Sequence, residues 1–138
     1  MAVILGLPKG SLQEATFNMM KKAGFNVQAG SRSYVPSVDD PALQCRLIRP
    51  QEISRYVELG LLDAGITGFD WIYENNSDVH EVSEMCYSKA TSRPVRWVLA
   101  VPNDSAIQSV KDWKGKRNTT EEDGLNRRDL AQHKADAE

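Results

Sequence analysis

The sequence predicts an α/β fold built on a parallel sheet, and three stretches carry that prediction. Residues 45–71, CRLIRPQEISRYVELGLLDAGITGFDW, read as strand, helix, strand with a sharp turn at each junction. A unit of that length implies parallel strands joined by a right-handed crossover. Residues 2–7 are a second short apolar run, followed by a glycine turn and a helical stripe. Residues 95–101, VRWVLAV, are the most strand-like run in the chain and close at Pro102. At 138 residues, with 41% hydrophobic and 26% charged side chains, the chain has room for one ordinary domain, or one lobe and part of another.

In chain order, the first strand ends at Pro8-Lys9-Gly10, where Ser11 has the character of an N-cap and Glu14 the spacing of a capping box. Leu12, Ala15, Met19, Met20 and Ala23 follow a helical stripe that Gly24 stops, with the methionines filling core. Strand, glycine turn and helix start make a place where an anion can rest, with Lys9 adding charge, although many such turns bind nothing. Residues 30–41 contain Arg32, Tyr34, Pro36 and the Asp39-Asp40-Pro41 turn, and read as a loop or edge hairpin. Paired aspartates can hold metal but more often cap and solvate a turn.

The strand at residues 45–48 leads into Pro50, which suits the first helical position because its missing N–H costs nothing there. Ile53, Tyr56, Val57 and Leu59 keep helical spacing up to the Gly60 stop. Residues 64–67 form the next strand, and Gly68 opens a turn in which Asp70 caps a short helix ended by Asn75-Asn76-Ser77. Ligands gather at the carboxyl ends of parallel strands, which here places Arg49 and residues 67–70 at the candidate site. Residues 79–87 alternate like a strand, Arg93-Pro94 marks a boundary, and residues 110–113 fit one helical turn. Beyond Lys114 the chain is dense in charge, and a helix over residues 125–137 has only a thin apolar stripe.

Several function classes are disfavoured. A formal net charge of −2 gives no basic footprint for nucleic acid or anionic membrane. No signal peptide or membrane-spanning stretch is evident, so the three N-glycosylation patterns (Asn75, Asn103, Asn118) are read as incidental and the expected location is the cytoplasm. Cys45 and Cys86 read as reduced, buried thiols, and neither His80 nor His133 has ligand-spaced partners for a transition metal.

The motifs LPKGSLQEAT, SRSY, LIRPQEISRYVELGLLDAGITGFDW, PVRWVLAVPNDS and DWKGKR, in that order and nearly end to end, resemble ATP phosphoribosyltransferase, most closely its long form. That family opens histidine biosynthesis, joining N1 of ATP's adenine to the ribose of phosphoribosyl pyrophosphate with release of pyrophosphate and Mg²⁺ as helper. The resemblance implies a type II periplasmic-binding-protein-like lobe over residues 1–93 and the start of a second lobe, incomplete, over residues 94–138. It also implies oligomeric assembly. Two polyanionic substrates need cations, and a ribose with oxocarbenium character needs positioning and electrostatics rather than a covalent intermediate. The matching positions are Lys9 of the first turn, Arg32 of SRSY and Arg49, whose fork suits bidentate phosphate contact. Asp70 matches the acidic position after GITG, where it serves equally as a helix cap, and Glu121 matches a nucleotide-contacting position after a strand.

Departures accompany the match. Ser11 stands where many relatives carry arginine, Phe69 fills an often polar position, and Asp129 replaces an aromatic. Asn118 and Thr119 replace apolar strand residues, and a buried Asn118 without partners would cost about 1–3 kcal/mol. The family's glycine- and threonine-rich phosphoribosyl-pyrophosphate loop, the strands returning to the first lobe and the histidine-binding domain match nothing in this sequence. The expectation is therefore the enzyme in truncated form, with weak or no activity alone. The competing reading is a nucleotide- or anion-binding module, or a remnant acting by pairing with an intact subunit.

Overall fold

The computed structural model describes residues 1–87 and 97–133, so the boundary expected at Arg93-Pro94, the start of the 95–101 run and the last residues of the 125–137 helix lie outside the described residues. The chain divides into two units, Met1–Pro94 and Val95–Glu138.

The first unit is a parallel sheet covered by helices. β1 (Val3–Pro8) lies between β4 (Leu43–Ile48) and β5 (Ala64–Gly65), giving the order β4-β1-β5 with both pairings parallel. β1 and β4 pair from Val3↔Leu43 to Pro8↔Ile48, so the two strands end side by side. β5 pairs through Leu5↔Ala64 and Gly6↔Gly65 only, shorter than the four residues the sequence predicts. Between β1 and β4 the chain forms α1 (Gln13–Lys22) and an antiparallel pair, β2 (Val27–Gln28) with β3 (Ser37–Val38). The edge hairpin expected within residues 30–41 is thus present in its second strand and turn.

Alternation along β1 sends successive residues to opposite faces. Leu7, fully buried, packs with Cys45, Leu47, Val27 and Met20, with Leu5 and Phe17 against them. Each such side chain gains about 1.5–3 kcal/mol on burial. The opposite face carries Gly6 and Gly65 side by side, and α2 (Pro50–Glu58) lies over them. A Cβ on Gly65 would collide with Ile53 Cγ2, and one on Gly6 would come 2.6 Å from Leu62 Cδ1. The glycine pair is what lets the crossover helix approach the sheet this closely.

Local chemistry sets the helix ends. Pro50 occupies the first turn of α2, and Gly60 follows it at φ +70°. Gly24 takes φ +96° after α1, and Asn76 takes φ 49° after α3 (Phe69–Asn75), the left-handed stop that asparagine tolerates. Of the aspartate pair, Asp40 serves the turn, as expected, accepting from Ala42 N at 2.8 Å, whereas Asp39 accepts from Asn26 N at 2.7 Å across the end of the β2–β3 pair.

Four expectations need correction. Ser11 does not cap α1: Gly10, at φ +109°, starts a turn closed by Gln13 N donating to Gly10 O, and the helix begins only after Leu12. Residues 79–87 form no strand, because no backbone among the described residues pairs with them. Cys86, set in that segment, is consequently exposed, whereas Cys45 is buried as predicted and burial pushes its thiol pKa up. Residues 97–101 are not a strand either, despite their composition. A strand exists only with a partner, and the described residues of the second unit hold none.

The second unit holds a 3-10 turn, Val110–Trp113, and α4 (Asp123–Gln132). Its core is Trp113 and Leu130 with Ile107 and Val110 packed against them. Asn118, expected in a strand, lies in irregular chain, with its buried Nδ2 lacking a partner among the described residues. No helix among the described residues is long and apolar enough to cross a membrane.

Candidate functional site

Three parallel strands deliver their carboxyl ends to one edge of the first unit, and a polar residue follows each within two positions. Lys9 follows β1, and its backbone N–H donates to Ile48 O at 2.8 Å, which pins the two strand ends together. Arg49 follows β4 in an extended conformation (φ −61°, ψ 135°) and serves as the N-cap residue of α2, with its carbonyl accepting from Glu52 N at 2.9 Å. After β5, Thr67 donates its hydroxyl to Pro50 O at 2.7 Å, tying that strand end to the start of α2.

The group that joins this edge is an aromatic ring. The Lys9 ammonium stands over the face of Tyr34, 3.4 Å from the ring centroid. Tyr34 belongs to the turn before β3, and its carbonyl accepts from Leu47 N at 2.8 Å, so its backbone runs beside the end of β4. The Lys9 ammonium, through hydrogen bonding and then charge, holds the Tyr34 phenol below its ordinary pKa; Arg49 adds a smaller electrostatic pull. Lys9, Tyr34 and Arg49 therefore share one electrostatic neighbourhood. Tyr34 was present in the SRSY motif but carried no sequence signal of its own for this role, because the contact joins segments far apart in the chain.

The other candidates divide. Ser11 lies exposed in the turn two residues beyond Lys9. Arg32 lies exposed in the turn that carries Tyr34, where Ser33 N donates to Gly30 O. Asp70 sits at the β5 end of the edge, inside the first turn of α3 rather than at its cap, and its Oδ1 accepts from Trp71 N at 3.0 Å. Gly68, the cap residue, leaves the space that the Asp70 carboxylate fills. The capping role expected of Asp70 is therefore corrected: Gly68 holds the cap position, no side chain caps α3, and Asp70 contributes a negative charge to the first turn. Glu121 lies exposed in the second unit, before α4.

Behind the edge, α3 is fastened to α2. Asn75 Nδ2 donates to Gln51 O at 2.8 Å and to Ser54 Oγ at 3.0 Å, and Ser77 Oγ shares a 3.0 Å hydrogen bond with the same hydroxyl. Ser54 is buried, so these bonds satisfy a hydroxyl that would otherwise be stranded. On the far side Thr16, fully buried, donates to Leu12 O and exchanges a 2.9 Å hydrogen bond with Tyr87.

The carboxyl edge of a parallel sheet is where such α/β units bind ligands, and here it carries cations. Comparison with known proteins narrows the class. The family model HisG, ATP phosphoribosyltransferase, matches residues 49–138. The ATP phosphoribosyltransferase of Desulforudis audaxviator is 58% identical over 131 residues, covering 95% of this chain and 45% of that protein. That of Pelotomaculum thermopropionicum is 59% identical over 121 residues, covering 88% of this chain and 42% of that protein. In structure, the ATP phosphoribosyl transferase (HisG:HisZ) complex from Thermotoga maritima superposes with a TM-score of 0.75 at 23% identity, covering 98% of this chain and 61% of that one, a match of fold. The chain belongs to the ATP phosphoribosyltransferase family. It spans about half the length of the curated relatives it matches.

Proposed function

We propose that this chain contributes the first lobe of an ATP phosphoribosyltransferase, and that its carboxyl edge receives the polyphosphate of the substrates. In the proposed reaction N1 of ATP's adenine attacks the anomeric carbon of phosphoribosyl pyrophosphate. A carbon–nitrogen bond forms there, the carbon–oxygen bond to pyrophosphate breaks, and pyrophosphate leaves with the bonding pair. The observation that carries this reading is that Lys9 and Arg49 each follow directly on the paired ends of β1 and β4, both outside any ion pair among the described residues. Unneutralised cations there stabilise a triphosphate in the ground state and departing pyrophosphate in the transition state.

In this reading Arg49 grips phosphate bidentately, Lys9 supplies a mobile point charge, and Arg32 and Ser11 extend the same edge. Asp70 sits in the α3 turn beside the bound substrate, and Glu121 is a nucleotide-contacting position by its match to the family. Residues 1–93 are the first lobe of a type II periplasmic-binding-protein-like pair and residues 94–138 begin the other. Mg²⁺ is the implied helper, lending positive charge to the phosphates. Among the described residues no three acidic, histidine or cysteine side chains stand together to hold a metal. In this reading the ion arrives on the substrate phosphates, as Mg²⁺ commonly does. Cytoplasmic location and self-association complete the reading.

Arg49→Ala tests it. A charge-assisted contact is worth about 1.5–3 kcal/mol, so ATP affinity by calorimetry should fall about tenfold or more while the melting curve stays in place. Unchanged affinity with an unchanged melt would remove the edge from the substrate site.

A further inference from the structure

We propose that Tyr34 is a positioning residue of this edge, its ring face holding the Lys9 ammonium at the end of β1 beside Arg49, ready for a polyphosphate. The inference rests on the proposed polyphosphate role of Lys9 and Arg49 and adds to it the group that presents the lysine.

The geometry asks for such a group. Lysine carries its charge on a long flexible stem, and ordering that stem costs conformational entropy that a ligand would otherwise have to offset. A carboxylate partner would order it but would also cancel its charge. An aromatic face orders the ammonium through its quadrupole and leaves the cation's charge in place. At 3.4 Å from the centroid the ammonium rests on the ring, and of its three N–H donors those not spent on the Tyr34 phenol can meet an anion.

The ring is itself held from behind. Tyr34 O accepts from Leu47 N at 2.8 Å, Ser33 Oγ donates to Val35 O at 2.9 Å and accepts from Val35 N at 3.2 Å, and Pro36 is buried. The turn thus fixes the backbone on both sides of a tyrosine that is 61% exposed. An exposed ring on a braced backbone has no core to fill. Its contact with Lys9 is what occupies it.

The test is a set of variants of the full chain with ATP as probe, each checked by thermal melting: Lys9→Ala, Tyr34→Leu, Tyr34→Phe, and the double variant Lys9→Ala with Tyr34→Leu. Exposed cation–π contacts correspond to a two- to five-fold effect, so Tyr34→Leu should weaken ATP about that much. Tyr34→Phe, which keeps the ring, should restore most of the affinity, and the double variant should bind no more weakly than Lys9→Ala alone. If Lys9→Ala leaves ATP binding unchanged, the polyphosphate reading of Lys9 fails and this inference with it. If Lys9→Ala weakens binding but Tyr34→Leu does not, or the two effects add, the positioning role alone is overturned. Proton NMR of the unaltered chain gives a check independent of folding in any variant. The Lys9 side-chain methylenes near the ring should show upfield ring-current shifts, and ordinary lysine shifts would overturn the contact.

Discussion

Two glycines in the first unit and two large side chains in the second hold the units' secondary structure in opposite ways. Around Gly6 and Gly65 a helix settles onto a sheet, with Ile53 and Leu62 buried over the pair and Leu7, Cys45 and Leu47 buried on the reverse face. In the second unit Trp113 and Leu130 face each other with two partly buried neighbours, while Trp97 and Val98 of the apolar run stay 56% and 65% exposed. Both regions have strand-forming sequence. Composition prepares a strand, but hydrogen-bonded neighbours make one, and among the described residues only the first unit supplies them.

The largest expected effect is in the first core. Leu7→Ala opens a cavity where Cys45, Leu47 and Met20 converge, and such deletions cost about 2–5 kcal/mol. Urea unfolding followed by far-UV circular dichroism should show a loss in that range. Leu130→Ala should cost less, since its surroundings are fewer and can collapse onto the gap. Equal losses would show that the second unit is as tightly packed as the first.

Next is Gly65→Ala. The added methyl meets Ile53 and must displace α2, and overpacking of this kind costs about 1–3 kcal/mol. Gly10→Ala is the contrasting change, because its Cβ would meet nothing within 4 Å and only its φ of +109° is strained. Melting temperatures should fall for both, and the ATP affinity of Gly65→Ala should fall too if α2 carries Arg49 with it. A Gly65→Ala chain with unchanged melting would mean that Ile53 finds another rotamer at no cost.

Hydrogen exchange compares the two units directly. Amides of β1 and β4, paired along six residues, should exchange slowly, and those of residues 97–120 quickly. Slow exchange across 97–101 would reveal a strand partner beyond the described residues.

How much of this was legible in the sequence follows from how local each cause is. Pro50, Gly24, Gly60 and Asn76 end or begin helices through their own stereochemistry, and each stands where the pattern placed it. The cap assigned to Ser11 failed because the φ of Gly10, one residue earlier, carried the chain through another turn before the helix began. Lys9 and Arg49 were legible as strand-end residues because a strand–helix–strand unit fixes where such residues emerge. Tyr34 was not, since its partner is chosen by the path of the β2–β3 connection beside the end of β4 and not by any neighbour in sequence. The exposure of Cys86 was missed for the same reason as the strand over 79–87: an apolar context covers a thiol only when something packs on it.

The smallest effect separates the second unit's local order from its packing. Asp112 Oδ2 accepts from Gln108 N, Ser109 N and Ser109 Oγ at 3.1, 2.9 and 3.0 Å, completing a capping box at the start of the 3-10 turn. These donors, the Gln108 N–H first, hold the carboxyl below its ordinary pKa. The sign follows from linkage: a depressed carboxyl stabilises the folded form fully above the unfolded value of about 3.9 and loses that contribution as pH falls through its folded pKa. Asp112→Asn keeps the shape but weakens the acceptor, so it should melt slightly below the unaltered chain at pH 6–7, and the gap should close as pH falls below about 4. The side chain is exposed, so the difference is small and best read by exchange at the 108–113 amides. A gap that persists unchanged at low pH would mean that the box acts through shape alone, and that the order of this turn comes from Trp113 packing on Leu130 and not from its cap.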